Sequence, residues 1–156
     1  MLQFWKKAKI YEKLKLQNAG GQQFYFCDGP PYATGQIHPG TAWNKSIKDA
    51  VCRYKRAKGF NVRSQPGFDT HGLPIEVKVE QELKFTNKRQ IEELGVDKFI
   101  EKCKAFATQY IGVISGQCER GGVWMDWGNP YITSKDEYIE SSWKTIAPAH
   151  EKGLLH

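Results

Sequence analysis

The chain has 156 residues, 40% of them hydrophobic and 26% charged, enough for one domain with its own core and too apolar for wholesale disorder. Lysine and arginine number 23 against 17 acidic residues, and the formal charge of +6 permits nucleic-acid or nucleotide partners without requiring them. The 4 cysteines form no CxxC pair, and Lys6, Lys7 and Lys9 interrupt any apolar leader, which argues against a structural metal, export and a membrane span. The expectation is a soluble cytoplasmic protein with no metal of its own and no membrane contact, its cysteines buried as thiols.

The opening "LQFWKKAKIYEKLK" sets Phe4, Ala8 and Tyr11 on one side, predicting a short amphipathic helix in a segment 1–20 that Gly20 and Gly21 close. "QQFYFCDGPP" reads as a strand ended by Gly and Pro. From Thr41 to Lys58 an inward face of Trp43, Ile47, Ala50/Val51 and Tyr54 recurs at helical spacing, with Gly59 as the stop. "FNVRSQPGFD" gives a second strand, so residues 21–83 read as a strand–helix–strand crossover. Ligands in open α/β sheets bind at the carboxyl ends of parallel strands, where the Pro/Gly-rich loops 29–40 and 66–74 lie.

Residues 84–156 read as mainly helical. Asn87 with Gln90 predicts a capped short helix closed by Gly95, and Phe99, Cys103, Phe106, Tyr110 and Val113/Ile114 mark a long helix stopped at Gly121 and Gly122. Ser134 with Glu137 predicts a capping box for a last helix that carries Ile139, Trp143 and Ile146 inward and is kinked or weakened at Pro148. The sequence contains no internal repeat, low-complexity segment or linker.

Two constellations carry chemistry. His38-Pro39-Gly40-Thr41 stands at a helix mouth, where free N–H groups favour an anion, Gly40 permits its close approach and His38 adds a donor. The competing reading is a loop histidine beside an N-cap threonine. Asp69-Thr70-His71-Gly72 opens onto the same edge, where Asp69 either binds a substrate ammonium or caps the segment starting at Leu73 and Pro74. Lys45, Lys48, Arg53, Lys55 and Arg56 read as a solvated helix face, with phosphate or tRNA contact the alternative. Trp124 and Trp127 read as core or interdomain packing, with base stacking the alternative. Cys27 reads as packing rather than as a nucleophile.

Together these segments resemble class I aminoacyl-tRNA synthetases. "PYATGQIHPGT" resembles the HIGH region, in which a Pro/Gly loop leads to His-x-Gly-His at a helix start. "PGFDTHGLPIEVKVEQEL" and "WMDWGNPYITSKDEYIESSWKTIAPAHEKGLLH" resemble the isoleucyl branch, and the likeness covers nearly the whole chain. It implies a fold that is the first half of a Rossmann-like (HUP-type) parallel sheet with a helical C-terminal half. It also implies ATP-dependent formation of isoleucyl-adenylate and acyl transfer to tRNA(Ile), with Mg2+ accompanying ATP. Carried over, Pro31, Gly35, His38, Gly40 and Thr41 would bind ATP, His38 and Thr41 catalytically; Asp69 would bind the isoleucine ammonium, the Pro30 backbone would border the amino-acid pocket and His71 would belong to the same amino-acid site.

Two departures follow. Thr41 replaces the second HIGH histidine, which the resemblance assigns to an archaeal-type branch. No KMSKS-like string occurs, so the resemblance implies the first half of a catalytic domain, as a fragment, a truncated frame or one piece of a split enzyme. Two other classes compete: a small nucleotidylyltransferase with a similar loop, and a non-catalytic basic tRNA- or protein-binding remnant.

Overall fold

A computed structural model describes residues 1–155. In chain order it contains α1 (Leu2–Lys7), α2 (Ile10–Gln17), β1 (Gln23–Cys27), α3 (Pro39–Ala57), β2 (Asn61–Gln65) and β3 (Gly67–Phe68). There follow α4 (Leu73–Glu82), α5 (Arg89–Leu94), α6 (Val96–Arg120), β4 (Tyr131–Ile132) and α7 (Asp136–Glu151). His156, the last residue of the expected helical region, lies outside the described residues.

The predicted crossover is present: β1 and β2 pair in parallel, Gln23 opposite Asn61 through Cys27 opposite Gln65, with α3 between them. Pro66 interrupts the second strand because it has no N–H to give the ladder. Pairing resumes beyond it, where Asp69 N–H donates to the Pro31 carbonyl and Ala33 N–H to the Asp69 carbonyl, both at 2.9 Å. On the other side β3 pairs in parallel with β4, extended by Thr133 N–H to the Phe68 carbonyl at 3.1 Å. The stretch 61–69 is therefore a central strand, flanked by 23–33 on one side and 131–133 on the other. Gly67 is required there, since a Cβ would stand 2.1 Å from the Tyr131 ring.

The core has two parts joined by α6. Ala33, Ile75, Val79, Phe99, Phe106 and Ala107 bind α4 to the first half of α6. Phe68, Ile114, Cys118, Val123 and Met125 bind β3 to its second half. The long-helix prediction holds: Phe99, Phe106 and Ile114 are buried, and α6 ends at Gly121 and Gly122. The Asn87–Gln90 pair also forms, each side chain accepting from the other's backbone N–H at 3.2–3.3 Å.

Several expectations are overturned. The N-terminal helix is two, α1 and α2, separated by Lys9 in the left-handed region, and Phe4 is exposed while Trp5 packs inward on Trp124. The expected inward face of α3 is outside: Trp43 is 72% exposed, Ile47 54%, Val51 46% and Tyr54 60%. The expected solvated face is inside, because Lys45 and Arg56 find partners in the strands and loops below. On α7, Ile139, Trp143 and Ile146 are likewise exposed, and the helix runs through Pro148 to Glu151. Ser134 makes no capping box, since its hydroxyl accepts from Thr70 at 2.8 Å and its N–H donates to the Thr70 hydroxyl at 3.1 Å. Cys27 is exposed, unlike buried Cys52 and Cys118.

Candidate nucleotide and amino-acid site

The loop 29–38 leaves β1 from a charged anchor. Asp28 is buried and its carboxylate receives the Lys45 and Lys48 ammoniums of α3, the latter at 2.8 Å. Burial pushes the Lys45 ammonium down to about 8, opposed by the Cys118 thiol and reinforced by the repulsion of Lys48. Asp28 N–H donates to the Gln65 carbonyl at 3.0 Å, and the Tyr131 hydroxyl donates to the Asp28 carbonyl. Burial and the neighbouring Cys27 thiol push the Tyr131 phenol up, so it stays a donor. The loop thus starts from a point fixed by α3, β2 and β4 together.

At its far end the loop delivers His38 as the N-cap of α3, with Pro39 in the first turn. His38 Nδ1 accepts from Thr41 N–H at 3.3 Å, so Nδ1 carries the lone pair and Nε2 the proton. That tautomer presents an outward donor at a helix N-terminus, where an anion is stabilised. The histidine, not the threonine, is the cap. Gly40 is explained by the ring itself, because a Cβ would stand 2.9 Å from His38 Cε1. Space above Gly35 is open, and Ile37 N–H is held at 2.9 Å by the Gln117 amide oxygen.

The second loop meets the first at Asp69, paired with Tyr32 and hydrogen bonded to Pro31 and Ala33. This brings Pro31 beside Asp69, with Pro30 next to it along the chain. Asp69 caps nothing: the N-cap of α4 is Gly72, with no side-chain bond. Its carboxylate instead accepts from the Thr133 hydroxyl at 3.2 Å, and His71 Nδ1 lies 2.7 Å from the same hydroxyl. The His71 side chain is 60% exposed and that of Asp69 25%, so both are open to a ligand.

Sequence reasoning missed Asp28 and Thr133 and set Lys45 on a solvated face, although it is buried. Asp28 followed by Gly-Pro-Pro, with a lysine near the start of the next helix, was the available signal for the anchor. Thr133 carried no local signal, because its role depends on β4 reaching β3.

Elsewhere, α1 and α2 cover the segment 119–128 and enclose an aromatic cleft of about 280 Å3. Trp124 fills its packing role there, with Trp5 at 5.2 Å, Tyr11 at 5.9 Å and the Arg53 guanidinium 3.6 Å over its ring. Among the described residues no group of three or more His, Cys, Asp or Glu is placed to hold a metal, and no helix is long and apolar enough to cross a membrane.

The fold is mixed α/β, with two loops meeting at the carboxyl ends of parallel strands, and comparison with known families makes its class specific. The family model "tRNA synthetases class I (I, L, M and V)" matches residues 1–156, and the chain belongs to that family. It is 59% identical over 153 residues to the isoleucine–tRNA ligase of Thermococcus kodakarensis, covering 97% of this chain and 14% of that protein. It is 56% identical to the isoleucine–tRNA ligase of Pyrococcus furiosus, over 98% of this chain and again 14% of the relative. Among solved structures, the LeuRS–tRNA–LeuAMS ternary complex of Agrobacterium radiobacter K84 shares the fold, with a TM-score of 0.71 at 23% identity, covering 99% of this chain and 18% of that one. The chain therefore spans about a seventh of the length of the curated relatives it matches.

Proposed function

We propose that this chain supplies the first half of the active site of an isoleucine–tRNA ligase. In this reading the strand–helix–strand unit is the first half of a Rossmann-like, HUP-type fold, which the protein's remaining length completes. ATP lies along Pro31, Gly35 and Gly40, with His38 and Thr41 donating to its phosphates from the mouth of α3. Magnesium enters bound to those phosphates, as part of the substrate, and no protein ligand set is assigned to it. Asp69 and His71 take the isoleucine ammonium, and Pro30 borders the side chain.

Attack of the isoleucine carboxylate on the α-phosphorus forms isoleucyl-adenylate and releases pyrophosphate. What this chain contributes is positioning plus fixed donors for charge that builds on the phosphate oxygens. His38 is preorganised for this, because the Thr41 N–H bond leaves its Nε2–H free. The acyl group then passes to tRNA(Ile).

The observation that carries the reading is Asp69, which is paired to the HIGH-like loop through Tyr32, Pro31 and Ala33 while its carboxylate is released from any capping duty. A basic RNA-binding remnant is disfavoured, since Lys45 and Arg56 point inward. The test is isoleucine-dependent pyrophosphate exchange in the intact protein. Asp69→Asn, losing a charged acceptor worth about 1.5–3 kcal/mol, should raise the isoleucine KM roughly 10- to 100-fold and leave the ATP KM near its original value. Exchange driven by a different amino acid, or an equal loss for both substrates, refutes the assignment.

A further inference from the structure

Thr133 is buried directly after β4 and belongs to neither loop of the site, yet its hydroxyl touches both functional side chains of the second loop. A hydroxyl has one proton and two lone pairs. Thr70 N–H donates to Thr133 Oγ1 at 3.0 Å and occupies one lone pair. An ionised carboxylate only accepts, so Asp69 Oδ1, at 3.2 Å, takes the single proton. One lone pair remains, facing His71 Nδ1 at 2.7 Å. That nitrogen must therefore carry a proton.

We propose that Thr133 is a positioning residue of the amino-acid subsite, fixing His71 as the Nδ1–H tautomer so that Nε2, the ring nitrogen turned away from Thr133, offers its lone pair to a substrate ammonium. The inference rests on the assignment of Asp69 and His71 to an amino acid made above. His71 Nε2 makes no hydrogen bond to the described residues, and Asp69 Oδ1 lies 3.7 Å from the ring's Nδ1. An ammonium has only donors to offer, and an unprotonated Nε2 gives one of them an acceptor. The opposite tautomer would turn an N–H toward the ammonium and repel it. The two histidines of the site are thus set in opposite senses: His38 accepts through Nδ1 and keeps an outward donor for an anion, and His71 donates through Nδ1 and keeps an outward acceptor for a cation.

The ring proton can be located by 15N–1H long-range correlation on histidine-labelled chain, with His71 assigned by its loss in His71→Gln. The wild type should place the proton on Nδ1, Thr133→Ser should keep it there, and Thr133→Val should move it to Nε2. In the intact protein Thr133→Val should raise the isoleucine KM about tenfold, as for loss of one net hydrogen bond, with the ATP KM unchanged and Thr133→Ser restoring the wild-type value. A wild-type proton on Nε2 overturns the proposal. So does a Thr133→Val variant in which both KM values rise together. A wild-type protein inert with every amino acid would sink the proposed function instead, and the ring proton would still decide this inference.

Discussion

Asp28→Asn tests the charged anchor of the nucleotide loop. The substitution keeps the side chain's shape, and it leaves the backbone bonds to Gln65 and Tyr131 in place, so charge alone is removed. The Asp28 side chain is 0% exposed and that of Lys45 4%, whereas Lys48 keeps 24%. Removing the carboxylate strands one ammonium without solvent and a second with partial hydration. Breaking a buried pair from one side costs about 3–5 kcal/mol. For a chain of this length each kcal/mol lowers Tm by about 2–4 °C, so the expected loss is roughly 6–20 °C. Lys48→Met leaves Asp28 paired with Lys45, and should cost only about 1 kcal/mol because Lys48 is partly solvated. Urea unfolding followed by circular dichroism measures both. An Asp28→Asn loss below 1 kcal/mol, or a Lys48→Met loss equal to it, refutes the view that buried charge holds the loop's base.

Gly40→Ala should displace the His38 ring, removing the bond to Thr41 N–H; a cap loss of about 1 kcal/mol and at least a roughly tenfold fall in pyrophosphate exchange are expected, and unchanged exchange would refute the crowding argument. Thr41→His should keep or raise exchange, since the imidazole adds a donor at the same helix mouth; its abolition in a folded protein would show Thr41 to be a specialised adaptation. Exposed Cys27 should be alkylated at pH 8 well before Cys52 and Cys118, because burial raises both of those thiols and hides them; mass spectrometry of the modified peptides reads the order, and equal rates would contradict the packing.

What the sequence disclosed best was local. A glycine after an apolar period ended α6, a reciprocal Asn/Gln pair began α5, and Pro/Gly punctuation marked both loops of the site. Each of those signals acts within a few residues, so it survives whatever the rest of the fold does. His38, Asp69 and His71 stand out as candidates for the same reason, as polar residues in the Pro/Gly-marked loops that follow strands. Thr133 was not, because a threonine between Ile132 and Ser134 acquires its role only when β4 lies beside β3, about 60 residues away in sequence.

Faces were harder than elements, and α3 shows why. Trp43, Ile47, Val51 and Tyr54 share one side of the helix, and Lys45, Asp49, Cys52 and Arg56 share another; both series have helical spacing. Periodicity says which residues lie together, and hydrophobicity points to the apolar set as the inner one. Here the inner set is the charged one, because α3 packs over strand ends and turns that offer it Asp28, Ser64 and the Gly122 and Trp124 backbone. Those groups need polar partners, a cation in the case of Asp28, and Lys45, Arg53, Arg56 and Asp49 supply them. The apolar series is left outside at 46–72% exposure, beside a sheet order in which β1 has a neighbour on one side only. Burying each of those side chains would be worth about 1.5–3 kcal/mol, and a free parallel edge also invites a strand.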